Sequence, residues 1–186
     1  KMWCVIRWFS VLCRPMSVAI TNNQIENKMT EVELQWAIEP QAIPTEAQCQ
    51  HWAQAAMQGE YADKPVALTI RVVDADEGRN LNQTYRNKDY ATNVLSFHFE
   101  YPADLQQAMM EDEGEPLYLG DLVMCASVII EEAMAQEKTL EEHWAHLVVH
   151  GCLHLQGYDH IDEAEAEAME ALETRILQQL GHDDPY

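Results

Sequence analysis

Five of the eight histidines lie between residues 143 and 160, and three of them have a spacing that suits a metal ion. His150 and His154 are four residues apart, which on a helix puts both imidazoles on one face, about one turn from each other. Gly157 lets the chain leave the helix in a left-handed conformation, so that His160 can turn back toward the pair. Three neutral imidazoles leave one position of a tetrahedral Zn²⁺ open, which is typical of catalytic zinc sites. The spacing therefore predicts one zinc ion per chain on these three histidines.

His146 continues the row of histidines toward the start of the same helix. Three ligands at successive turns of one straight helix would span about 12 Å and could not all reach one ion. We therefore interpret His146 as a residue that packs against the ligands or orients them. Asp159, next to His160, is expected to orient an imidazole through a carboxylate–histidine–metal contact. Cys152 points away from the pair and is expected to fill the core.

Gly151 distinguishes this stretch from the motif of the metzincin peptidases, HExxHxxGxxH, which has the same histidine spacing. In those enzymes the glutamate at the second position is the general base, and here glycine takes its place. The missing carboxylate argues against peptide hydrolysis by the usual route. A similar metal scaffold is therefore expected to serve a different reaction.

The elements that must position these residues follow from hydrophobic periodicity. Alternating or β-branched runs predict four strands, at residues 31–36, 66–73, 92–99 and 121–127. Helical periodicity, capping residues and terminal glycines predict five helices, at residues 45–58, around 81–85, and at 128–138, 141–156 and 163–180. This order predicts an α+β fold, in which about four strands form a mixed sheet and about five helices pack against it.

The charge of the chain is strongly negative and unevenly distributed. It has 11 Lys and Arg against 32 Asp and Glu, a formal net charge of −21, which excludes a protein that holds nucleic acid mainly through a basic surface. Residues 1–30 carry four basic side chains and one acidic side chain, or +3, so residues 31–186 carry −24. We expect residues 1–30 to be a disordered extension and residues 31–186 to be a single domain.

Three further features bear on where the protein works. Arginines and Pro15 divide the apolar residues near the start into runs too short for a signal peptide. No apolar run reaches the length of about 18 residues that a transmembrane helix needs, so no membrane span is predicted. Five cysteines without a CxxC pair favour a reduced protein over a disulfide scaffold. The expected location is the cytoplasm.

Three separated motifs resemble those of the YbeY endoribonuclease family and occur in the same order. They are HGCLHLQGYDH at residues 150–160, LNQTYRNKDYATNVLSF at residues 81–97 and YLGDLVMCA at residues 118–126. The similarity covers residues 31–186 and includes LETRILQQLGHDDPY at residues 172–186. His98 departs from the family pattern, which usually has proline after Ser-Phe, and we leave it outside the expected site.

The resemblance implies a zincin-like fold and a zinc ion on His150, His154 and His160. It also implies that Arg86 and His150 are catalytic in cleaving single-stranded ribosomal RNA, during 16S rRNA 3′-end maturation and ribosome quality control. The implied partners are the small ribosomal subunit, a small-subunit ribosomal protein and the Era GTPase. Zinc and Arg86 suit this chemistry, because both stabilise negative charge on a phosphoryl group.

One stretch of the acidic domain is suited to contact with RNA. Residues 64–93 carry five basic and four acidic side chains, or +1. We expect Arg71, Arg79 and Lys88, together with Arg86, to line a small basic cleft that leads to the zinc. Because the rest of the domain is acidic, contact with RNA is expected to be weak and sensitive to salt, with partner proteins or the ribosome delivering the substrate.

Two alternatives stay open at this point. The first is a zinc peptidase or amidohydrolase whose base lies outside the histidine motif, and Gly151 counts against it. The second is a noncatalytic ribosome-assembly factor with a structural zinc, which would need a fourth ligand such as His98.

Overall fold

A mixed β-sheet forms the centre of the computed structural model, which describes residues 6–8, 30–41, 43–102, 105, 115–159 and 162–186. Its strands are β1 (Ile6–Trp8), β2 (Thr30–Trp36), β3 (Val66–Val73), β4 (Val94–Phe99) and β5 (Leu117–Cys125), in the spatial order β1-β4-β5-β3-β2. β4 runs antiparallel to β5, and the other neighbouring pairs are parallel. The α-helices are α1 (Glu46–Ala56), α2 (Ala75–Arg86), α3 (Ala126–Ala135), α4 (Leu140–Leu155) and α5 (Glu163–Gln179).

The predicted α+β class is confirmed, and each of the four predicted strands and five predicted helices has a counterpart. The boundaries differ most at β5, which begins at Leu117 rather than near residue 121. Gly120, with φ +136°, lies at a β-bulge where the pairing of β5 with β3 shifts by one residue. The extra residue breaks the alternation of apolar and polar side chains, so the sequence pattern hides the first part of the strand.

β1 lies within the segment predicted to be an extension. Its three residues pair in parallel with β4. Thr30, at the end of the same segment, is the first residue of β2. Residues 1–5 and 9–29 lie outside the described residues, so the division into an extension and a single domain stays a prediction.

Helices cover both faces of the sheet. α1 and α4 pack on one face, in a core that includes Trp52, Leu122 and Trp144. α2 packs on the other face, where Leu81 and Tyr85 contact side chains of β3, β4 and β5. The strands that support α4 are thus buried on both sides. Among the described residues, every helix is too short or too polar to cross a membrane.

The buried helix α4 carries two of the predicted ligands. A capping box begins it, in which Thr139 and Glu142 each accept a hydrogen bond from the backbone N–H of the other. Twelve of its sixteen residues are buried. Gly151 lets α4 lie close to β5, because a Cβ at this position would be 2.8 Å from a terminal methyl of Leu122. This approach sets the rotation of α4 about its axis, and so the direction of every other side chain on it.

Substitution of Gly151 tests this close approach. Gly151→Ala is expected to lower the free energy of unfolding by about 1–3 kcal/mol, because the added methyl overlaps Leu122 in a packed core. The matched control is Gly78→Ala in α2, where the Cβ would be 3.4 Å from Cys125 Cβ, an ordinary contact. The control should raise the free energy of unfolding by up to about 1 kcal/mol through helix propensity. Urea unfolding measures both, and two stabilising substitutions would contradict the packing of α4 on β5.

Candidate metal centre

His150 and His154 lie side by side on α4. Their Nε2 atoms are 3.1 Å apart, and only 9% of His150 and 3% of His154 is exposed. Two nitrogen ligands of a tetrahedral zinc ion, each at the usual Zn–N distance of about 2.0–2.1 Å, are about 3.3 Å from each other. The two imidazoles therefore have the separation of neighbouring ligands of one ion.

The hydrogen bonds of the other ring nitrogens fix the tautomers. His150 Nδ1 is 2.8 Å from the carboxylate Oε1 of Glu173, and His154 Nδ1 is 2.9 Å from the backbone carbonyl oxygen of Tyr158. Both oxygens only accept hydrogen bonds, so each Nδ1 carries a proton and leaves Nε2 as the nitrogen that can bind a metal. Two Nε2 atoms at 3.1 Å need a cation between them, either a proton on one ring or a metal ion shared by both. The pair is thus suited to bind a metal ion.

Glu173 of α5 is a buried carboxylate with 0% exposure. Its Oε1 accepts a hydrogen bond from His150, and its Oε2 accepts one from His146 Nε2 at 3.0 Å and one from the hydroxyl of Tyr186. Burial alone raises the pKa of Glu173, but the hydrogen bonds from the two histidines outweigh it and hold that pKa well below its usual range. The carboxylate is therefore ionised at neutral pH and acts only as an acceptor.

Glu173 was not among the site residues predicted from the sequence, although the sequence contains a signal for it. Met169, Glu173 and Ile176 are all buried on one side of α5, in the stripe that otherwise carries apolar side chains. An acidic residue in such a stripe is rarely buried unless hydrogen-bond donors face it. The histidines of α4 are those donors.

His146 lies one turn before His150 on α4 and contacts Glu173. Burial lowers the pKa of His146, and the opposing effect of Glu173 is smaller, so the ring is neutral at pH 7. One ligand atom from each of His146, His150 and Glu173 lies within 4.8 Å of the other two, so this group could also hold a metal ion. An ion in that group would use Nδ1 of His150 at the observed ring orientation, whereas an ion shared with His154 would use Nε2.

The third predicted ligand, His160, lies outside the described residues and remains a prediction. The chain leading toward it is described up to Asp159. Gly157, with φ +92°, takes the left-handed conformation expected at the end of α4, and the backbone N–H of Tyr158 donates to the carbonyl of Leu153 at 3.1 Å. The orienting role of Asp159 also remains a prediction, because the histidine beside it is His160.

The two residues after His150 face the protein interior. Gly151 packs on Leu122 at the position where metzincins carry the glutamate base, so a longer side chain does not fit there without displacing the side chain of Leu122. Cys152 is 0% exposed, and burial raises the pKa of its thiol, which keeps the sulfur protonated and unsuited to bind a metal. The interpretation of Cys152 as a core residue is confirmed.

Two of the basic residues predicted to contact RNA are paired with carboxylates. Arg71 donates to both oxygens of Glu77, at 2.9 and 3.3 Å, and Arg79 donates to both oxygens of Asp89, at 2.7 and 3.0 Å. The hydrogen bond from Arg79 lowers the pKa of Asp89, so this exposed pair stays charged. A count of charges along the sequence cannot show such pairing. Contact of these arginines with RNA stays a prediction.

Arg86 and Lys88 flank the end of α2. Arg86 is the last residue of the helix and is half-buried, whereas Lys88 is exposed. Asn87 between them takes a left-handed conformation with φ +56° and caps the helix through its backbone N–H. The cap turns the chain between the two cations. Their predicted roles, catalysis for Arg86 and RNA binding for Lys88, stay predictions.

His98 connects the end of β4 to the end of α4. Its Nδ1 donates to the backbone carbonyl of Leu155 at 2.8 Å, because a carbonyl oxygen can only accept. Any contact of His98 with a metal or with RNA would therefore use Nε2.

A cavity of about 490 Å³ adjoins the histidines. It lies between α3, α4, α5 and the residues after α5, and its lining includes His143, His146, His150, Glu173 and Tyr186. His143 also faces a carboxylate, with its Nε2 3.0 Å from Oε2 of Glu132. The carboxylates of Glu132 and Glu173 thus both accept hydrogen bonds from buried histidines of α4.

Comparisons with known proteins agree with the motifs. A family model described as Endoribonuclease YbeY matches residues 22–181. An Endoribonuclease YbeY of Hydrogenovibrio crunogenus is 54% identical over 145 residues, which make up 77% of this chain and 88% of that relative. An Endoribonuclease YbeY of Stutzerimonas stutzeri is also 54% identical, over 158 residues that make up 85% of this chain and 92% of that relative.

The solution structure of TM1509 from Thermotoga maritima is a further similar protein. It aligns with a TM-score of 0.48 and 22% sequence identity, over 84% of this chain and 98% of that chain. The family assignment rests instead on the family model and on the identity with the two relatives over most of their lengths. On these grounds the chain belongs to the endoribonuclease YbeY family.

Proposed function

We propose that this protein is a zinc-dependent endoribonuclease that cleaves single-stranded ribosomal RNA. The observation that carries the proposal is the pair of Nε2 atoms of His150 and His154, 3.1 Å apart in a buried site. Membership of the endoribonuclease YbeY family supports the reaction class. We further assign the protein to 16S rRNA 3′-end maturation and ribosome quality control in the cytoplasm, with residues 31–186 as the catalytic domain.

One zinc ion per chain would be held by His150, His154 and His160. Zinc favours a tetrahedral set of imidazoles with one position open, and when bound it supplies Lewis acidity toward a phosphoryl oxygen. Glu173 and the backbone carbonyl of Tyr158 support this choice, because they keep the two described rings in the tautomer that binds a metal through Nε2.

The residues around the ligands would act by orienting them. Asp159 is assigned this role toward His160, the residue that follows it. His146 is assigned a supporting role, because it donates to the same carboxylate that accepts from His150. Removing residues that orient metal ligands typically weakens metal affinity or activity by about 10- to 100-fold.

Arg86 is proposed to stabilise the transition state of RNA cleavage. A guanidinium can donate two parallel hydrogen bonds to oxygens of a phosphate group. These hydrogen bonds strengthen as negative charge grows on the phosphoryl oxygens, which lowers the barrier. Arg86 would thus act on the substrate directly, whereas His150 would contribute to catalysis as a zinc ligand.

The nucleophile is constrained by Gly151. Because this residue packs on Leu122, the helix offers no carboxylate base at the position that peptidases use, which also counts against peptide hydrolysis. RNA carries a nucleophile of its own, the 2′-hydroxyl next to the scissile phosphate. Attack by that hydroxyl leaves a 2′,3′-cyclic phosphate on the upstream fragment, whereas attack by water leaves a linear phosphate, so product analysis distinguishes the two routes.

RNA would bind to a limited basic surface on an otherwise acidic protein. A phosphate approaching Arg71 or Arg79 would compete with Glu77 or Asp89 for the guanidinium, and Lys88 would add an exposed cation. We therefore propose weak binding of isolated RNA that falls as salt is added. The small ribosomal subunit, a small-subunit ribosomal protein and the Era GTPase are the proposed partners that supply the remaining affinity.

His154→Ala tests the ligand set. The variant is expected to lose the single zinc ion after dialysis, because one imidazole of the facing pair is gone. His146→Ala should keep the ion at a weaker affinity, since His146 is assigned a contact with Glu173 and not with the ion, and the exposed His51→Ala is the control for losing a histidine elsewhere. Elemental analysis by mass spectrometry measures zinc per chain. Zinc retained by His154→Ala but lost from His146→Ala would place the ion on the group of His146, His150 and Glu173 instead.

Arg86→Ala tests the proposed chemistry separately from the metal. The variant should keep one zinc per chain and lose about 10²- to 10³-fold in kcat on single-stranded RNA, the usual effect of removing one donor to a developing oxyanion. Arg175→Ala, on the exposed side of α5, should cleave like the parent. Undiminished cleavage by Arg86→Ala would contradict the assigned role.

The same assay separates the alternative functions. A parent protein that cleaves casein but not single-stranded RNA would be a peptidase. A zinc-loaded parent that cleaves neither, and whose His98→Ala variant loses zinc, would be an assembly factor with a structural ion.

A further inference from the structure

The residues after α5 turn back toward the cavity beside the histidines. Pro185 is buried, and its carbonyl accepts a hydrogen bond from the Nζ of Lys138, in the turn between α3 and α4. Asp184 accepts a hydrogen bond from Thr174 of α5 at 3.3 Å and from the backbone N–H of Tyr186 at 3.1 Å. The segment 182–186 is therefore attached at several points before it reaches Tyr186.

Tyr186 reaches the buried carboxylate through its hydroxyl. The phenol donates to Oε2 of Glu173, the oxygen that also accepts from His146. The ring meets that of His146 edge to face, with centroids 5.5 Å apart and planes at 82°. Because 62% of Tyr186 is exposed, burial of apolar surface explains little of its placement, and the hydroxyl contact is the specific one.

The contact of Tyr186 adds to the hydrogen bonds that hold the Glu173 carboxylate in place. The terminal torsion of a glutamate is broad, so a carboxylate held at one oxygen can rotate. Oε1 accepts the hydrogen bond from His150, and Oε2 accepts those from His146 and Tyr186. The second donor on Oε2 restrains the plane of the carboxylate further and so helps to keep Oε1 directed at His150 Nδ1.

We propose that Tyr186 is a positioning residue that acts through Glu173 to hold the imidazole of His150 with its Nε2 directed at the metal site. This inference rests on the proposed zinc site on His150, His154 and His160. The effect passes from the hydroxyl of Tyr186 to the carboxylate, and from the carboxylate to Nδ1 of His150. Tyr186 is assigned no contact of its own with the metal or the RNA.

The test measures metal affinity in the full chain, independently of RNA cleavage. Tyr186→Phe removes the hydroxyl and keeps the ring against His146, so zinc affinity, measured by competition with a chromophoric chelator, should fall about tenfold. The absorption spectrum of bound Co²⁺ should also change, because the orientation of one ligand changes. Tyr61→Phe, which removes a half-buried tyrosine hydroxyl from a turn after α1, is the control and should leave both readouts as in the parent.

A double-mutant cycle with Glu173→Gln isolates the path. If Tyr186 acts through Glu173, Tyr186→Phe should weaken zinc binding in the parent but have little further effect in the Glu173→Gln background. Unchanged zinc affinity and Co²⁺ spectrum in Tyr186→Phe, in a parent that binds zinc, would overturn the inference alone. Equal effects of Tyr186→Phe in both backgrounds would also overturn it, by showing a general effect on stability. A parent that binds no zinc at all would instead refute the proposed function.

Discussion

An ionised carboxylate in the core, that of Glu173, is the constraint on which the arrangement of the centre depends. A charge removed from water is costly unless several hydrogen bonds replace its hydration. Glu173 has 0% exposure, and its three donors come from α4 and from the segment after α5. Moving either part of the chain away would remove hydrogen bonds that stabilise the buried charge. The carboxylate thus connects the position of three parts of the chain to the orientation of His150.

The helix α4 donates hydrogen bonds to Glu173 from one side and packs against the sheet on another. Gly151 brings it close to β5, while His146 and His150 face Glu173 and His154 faces His150. A helix with a single apolar stripe could not do both. The near-complete burial of α4 is therefore a consequence of its place between the sheet and α5, and its histidines are held by hydrogen bonds to neighbouring groups.

Much of this arrangement could be predicted, because it is local in sequence. The pairing of His150 with His154 follows from helical geometry, and the five helices and four longer strands follow from periodicity and caps. Glu173 could not be placed opposite His150 from local patterns, since the contact joins residues 23 apart on two helices. The ion pairs of Arg71 with Glu77 and of Arg79 with Asp89 could not be predicted either, because each partner lies outside the strand or helix that carries the arginine. The shifted start of β5 comes from a bulge, which depends on pairing with β3 rather than on the strand alone.

The burial of the cysteines near this centre has a consequence for how the protein withstands oxidants. Cys49 and Cys152 are both 0% exposed, and burial raises the pKa of Cys49 to about 12 and that of Cys152 in the same direction. Since the thiolate is the species that reacts, the raised pKa of each thiol leaves very little of it reactive at pH 7. Peroxides and electrophiles that modify exposed thiols should therefore spare these two. The core contacts of Cys49 and Cys152 should then persist when exposed thiols elsewhere are oxidised.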